Sequence, residues 1–136
     1  QRPQAVAAYH LLAQRQGNPA EWYQRAGGAF LAQGRYREAA QEFLLAMQAR
    51  QGKAGARDDF LSAMATLQAG GFLDQALREA GRYQQMFLDD NEVLFRLMKL
   101  AQAAGDVARA EYYASLLLRL GDKAGADAGV SAGRAP

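Results

Sequence analysis

The chain contains no cysteine, which excludes a disulfide framework, a thiolate zinc site and a cysteine nucleophile. Its single histidine, His10, has no second histidine to join it, so a zinc site or a catalytic triad lacks its parts. A surface or packing role is expected for it. Three prolines and few β-branched residues argue against a sheet. Long apolar runs are missing too: stretches such as Phe43-Leu44-Leu45-Ala46-Met47 fall far short of the ~20 residues that span a bilayer. Nor does one sign of charge dominate. Sixteen Lys and Arg oppose fourteen Asp and Glu for a formal net of +2, and no run of five like charges occurs. No nucleic-acid partner is expected from so weak a basic footprint. A chain without cysteine suits an oxidising and a reducing compartment equally.

What is present favours helix. Half of the 136 residues are hydrophobic, much of that alanine and leucine, and one phrase is written three times: Gly34-Arg35-Tyr36-Arg37-Glu38-Ala39, Gly71-Phe72-Leu73-Asp74-Gln75-Ala76 and Gly105-Asp106-Val107-Ala108-Arg109-Ala110. Each has Gly, a large apolar residue two positions on and Ala five positions on, between stretches of helical apolar spacing. The phrase is the turn of a helical hairpin. Its recurrence, from Ala39 to Ala76 and on to Ala110, falls within the period of roughly 20–50 residues that signals a stacked helical repeat.

The spacing predicts helices over about 3–16, 19–33, 36–50, 57–69, 73–87, 91–104 and 107–120. Asn18 is placed to cap the second, with Pro19 at its first position and Glu21 three residues after the cap; Asp106 is placed to cap the last. Gly34 takes the left-handed conformation that ends a helix. The looser Gly52-Lys53-Ala54-Gly55-Ala56 connection accounts for the longer first interval, Ala39 to Ala76. The division is therefore 1–17, the second helix of a preceding repeat; 18–53, 54–90 and 91–124, three repeats; and 125–136, a Gly- and Ala-rich flexible tail or linker. A start at Gln1 reads as a fragment of a longer chain.

Aligned on Gly34, the first unit resembles the tetratricopeptide repeat family. Its residues at the family positions are Tyr23, Ala26, Gly27, Phe30, Ala39, Phe43 and Ala46, with Gln51 where the family has proline. The second unit places Phe60, Ala63, Met64, Leu67, Ala76, Ala80 and Tyr83 there, and the third Leu94, Leu97, Met98, Ala101, Ala110, Ala114 and Leu117, so both are degenerate. Phe43 then Ala46 in the first repeat becomes Ala80 then Tyr83 and Ala114 then Leu117, an exchange of bulky and small sites that conserves volume. Met64 and Met98 replace the family's Gly, which predicts wider helix crossings. The resemblance implies an all-α right-handed superhelix of antiparallel helix pairs, about seven helices in all. The run from Trp22 to Gly52 and its successors also resembles the periplasmic repeat regions of Pel-type exopolysaccharide export proteins, in which tetratricopeptide repeats precede an outer-membrane barrel. That resemblance implies a periplasmic scaffold for a polysaccharide-modifying enzyme, in a parent chain anchored in the outer membrane.

In this family the first helix of each pair lines the concave face. Carried over by register, that face comprises Gln24, Gly28 and Leu31, then Leu61, Ala65 and Gln68, then Phe95, Lys99 and Gln102. Leu61 and Phe95 are apolar where a solvated helix prefers polar residues, so they lead the candidates for partner contact. The family's carboxylate clamp needs Lys and Asn where Gln24 and Gly28 stand, and Lys99 alone has the right chemistry; chaperone-tail binding is disfavoured. Glu21, Asp58 and Glu92 share one register position in a first helical turn, where the macrodipole favours carboxylates. Asp58-Asp59 and Asp89-Asp90-Asn91-Glu92 lie at helix starts, where caps collect, and match no calcium loop. Gly27-Gly28 follows no strand and is repeat packing, not a phosphate loop.

The sequence thus points to a non-enzymatic protein-binding scaffold with no cofactor and no metal, and with no membrane insertion of its own. The competing readings are an adaptor or spacer in another bacterial assembly and an RNA-reading helical repeat. Self-association through exposed repeat ends is a further expectation.

Overall fold

The computed structural model describes residues 3–15 and 17–134; residues 1, 2, 16, 135 and 136, from the first and last expected segments, lie outside the described residues. Among the described residues every regular element is helical: α1 (Pro3–Arg15), α2 (Pro19–Ala32), α3 (Tyr36–Arg50), α4 (Ala56–Ala69), α5 (Leu73–Tyr83), a 3-10 turn (Gln84–Phe87), α6 (Asn91–Ala103) and α7 (Val107–Arg134). The all-α expectation is met. The helix predicted over 73–87 instead tightens to 3-10 geometry at Gln84, which puts Phe87 into a buried position. α7 runs past the predicted stop near residue 120, through the stretch read as a flexible tail. An internal glycine such as Gly121 costs only about 1 kcal/mol, and its neighbours Leu120, Lys123 and Ala124 favour helix.

The three repeated phrases make three turns of one design. Gly34, Gly71 and Gly105 have φ of 72°, 83° and 73°, the left-handed region that glycine enters without steric penalty. Each donates its N–H to the carbonyl three residues back: Leu31, Gln68 and Gln102. The next residue donates to the carbonyl five back, Arg35 to Phe30, Phe72 to Leu67 and Asp106 to Ala101, at 2.8–3.0 Å. These paired bonds satisfy the last carbonyls of the ending helix. The same residue then opens the next helix, since its carbonyl accepts from the alanine N–H at 39, 76 and 110. One residue closes one helix and starts another, so the paired helices must lie antiparallel and close.

The chain forms two compact units, Gln1–Ala80 and Gly81–Pro136. In the first, α1 packs on α2, α2 on α3 and α3 on α4. Val6 of α1 meets Ala26 and Ala29 of α2, with Tyr9 and Phe30 packed against them, and Tyr9 stacks on Trp22 at 6.2 Å. Ala39, Ala40, Ala46, Met47, Phe60, Ala63, Leu67, Ala76 and Ala80 are fully buried. Burying a side chain as large as Phe60 or Leu67 contributes about 1.5–3 kcal/mol.

Closeness is set at Gly27, where a Cβ would meet the Phe43 ring at 2.8 Å. The sequence places the bulky-small exchange within each second helix; the contact shows a second exchange across the pair. Gly27 faces Phe43, and the corresponding residues are Met64 with Ala80 and Met98 with Ala114. Bulk has moved from one helix to its neighbour. In the second unit α6 packs on α7, and Val93, Leu94, Leu97, Ala101 and Tyr113 are buried.

Register also aligns Glu42, Glu79 and Tyr113, each three positions past the alanine of its phrase, in α3, α5 and α7. All three are buried. Each is tied to a residue of the preceding second-helix segment: Glu42 to His10 of α1 at 2.6 Å, Glu79 to Gln41 of α3 at 3.2 Å, and Tyr113 to Gln84 of the 3-10 turn at 2.7 Å. His10 is thus a packing residue, edge-on to Tyr23. A buried carboxylate without such a donor costs several kcal/mol.

Candidate functional site

In the first unit, two of the expected concave-face residues serve the fold. Gln24 donates its amide to Asp59 at 2.5 Å, and Leu61 is only 9% exposed; neither is free to meet a partner. Gly28, Leu31, Ala65 and Gln68 remain exposed, Leu31 at 40%. That leaves one large apolar side chain among small and polar ones.

Asp59 departs from the capping role expected of the Asp58-Asp59 pair. α4 begins after Gly55, whose φ of 98° is left-handed. Asp59 lies inside the first turn, 1% exposed, where it pairs with Arg50 of α3 at 2.5 Å. Together with Gln24 it ties α2, α3 and α4 at one point. Asn18 does not cap α2 with its side chain; its amide reaches Glu21 instead, at 3.5 Å. Asp90 and Asp106 do cap, accepting from the N–H groups of Glu92 and Val93 and of Arg109. Glu21 and Glu92 pair with Arg25 and Arg96 one turn on, which is local helix chemistry.

The expected face is more exposed in the second unit, where its aromatic stands half in solvent. Phe95, Lys99 and Gln102 recur at helical spacing on α6 and all are exposed, Phe95 at 52%. Adjoining them, an open cleft of about 390 Å³ is lined by Met98 and Gln102 of α6, by Gly105, and by Val107, Ala110, Glu111 and Ala114 of α7. Gln102 belongs to both features. Met98 and Ala114 both line this cleft, and Ala114 stands where the first repeat has the Phe43 ring over Gly27. A smaller cleft of about 270 Å³ lies between Gly81, Gln84, Ala108, Arg109, Tyr112 and Tyr113. Burial raises the Tyr113 hydroxyl above its usual pKa, against a smaller opposing pull from Arg109, and the neutral phenol donates to Gln84.

Among the described residues no three of His, Asp and Glu converge as a metal site would require, and no helix is long and apolar enough to cross a membrane. The α6 stripe and its cleft offer an apolar floor with a polar rim, which is the chemistry of a protein contact. The cleft was beyond register reasoning, because it depends on how Met98 of α6 and the small Ala114 of α7 meet across the pair. The pairing of Met98 with Ala114 was its available signal. No known protein-family profile matches the chain, and no curated protein matches it.

Proposed function

We propose that this chain is a non-enzymatic tetratricopeptide scaffold that holds a protein partner against α6, in Pel-type exopolysaccharide export across the periplasm and outer membrane. The partner in that reading is the periplasmic enzyme that modifies the polymer. The observation that carries the scaffold reading is Phe95, a phenylalanine half in solvent with Lys99 and Gln102 on the same helical face. A large aromatic flanked by polar groups is the usual anchor of a binding surface. Three turns of one design at the family's positions support the tetratricopeptide assignment; the export assignment rests on the resemblance of Trp22 to Gly52 and its successors.

Immobilised chain is titrated with the purified periplasmic modifying enzyme of a Pel-type system. Binding is expected in the micromolar range, weakened roughly tenfold by Phe95→Asp. No binding by the unaltered chain refutes the export reading, and binding indifferent to Phe95→Asp refutes α6 as the surface.

A further inference from the structure

We draw no further inference here: the strongest candidate, the open cleft between α6 and α7 with Val107 and Leu118 exposed on α7, carries nothing, because α7 presents both signs of charge, Glu111 and Asp122 with Arg119 and Lys123, and nothing in the structure shows what covers it.

Discussion

Exchanging the Gly27–Phe43 contact for the pair found one repeat later is a direct test of how these helices fit. A Cβ on Gly27 would lie 2.8 Å from a Phe43 ring carbon, where ordinary contact begins at 3.4 Å. The ring must therefore retreat by about 0.6 Å for one added carbon, and further for a whole side chain. Gly27→Met should cost about 3 kcal/mol by overpacking, offset by about 1 kcal/mol of helix propensity. Phe43→Ala removes a ring that is only half-buried, so it should cost about 2 kcal/mol, less than the loss of a fully buried phenylalanine. Simple addition predicts a double variant destabilised by about 4 kcal/mol. Complementary packing predicts only about 1–2 kcal/mol, because methionine enters the volume that the ring vacates, the combination that stands at the equivalent positions Met64 and Ala80. Urea unfolding followed by far-UV circular dichroism and by Trp22 fluorescence gives all four corners of the cycle. A double variant within about 0.5 kcal/mol of additivity would refute the exchange of bulk across the pair.

Other consequences are as open to measurement. Ala76, fully buried at the phrase position, should cost roughly 1–3 kcal/mol as Leu, and an unchanged melting temperature would sink the repeat register. Asp59→Ala leaves Arg50 and Gln24 without their acceptor and should destabilise by about 3 kcal/mol; adding Arg50→Met should restore part of it, and a further loss in chemical denaturation would contradict the ion-pair account. Because burial raises the Tyr113 pKa above the free value near 10, the folded chain keeps a proton that the unfolded chain gives up. Stability from this group is complete below pH 10 and lost as pH rises through the folded pKa. Unfolding free energies at pH 9 and pH 11 should therefore differ less in Tyr113→Phe than in the unaltered chain, and equal differences would exclude the effect.

The hairpins were legible because their signal is local. A glycine must supply positive φ, an alanine must allow close approach, and both recur at fixed offsets, so Gly34 and Ala39 could be read without knowing what they touch. Residues of the candidate surface were legible only by register, which states the face of a helix but not its neighbours. Phe95 stands exposed as that face predicts, while Leu61 on the same face is buried. Asp59 misled for a related reason: an acid in a first turn has a sufficient local explanation, and the competing Arg50 arrives through the Gly52–Gly55 connection, whose path the spacing does not specify. The run of α7 beyond residue 120 shows the limit of composition, since glycine and alanine suit a linker and a propagating helix alike.

The ties from Glu42 to His10, Glu79 to Gln41 and Tyr113 to Gln84 bear on how such an array can grow. Each tie is split across two successive segments, with the buried acceptor or phenol in one and its complement in the other. A repeat copied or transplanted elsewhere in a gene carries only half of each bond. Wherever it lands beside an apolar neighbour, a buried polar group loses the partner that the preceding segment supplied, and newcomers to the array are screened by polar fit before sequence similarity counts.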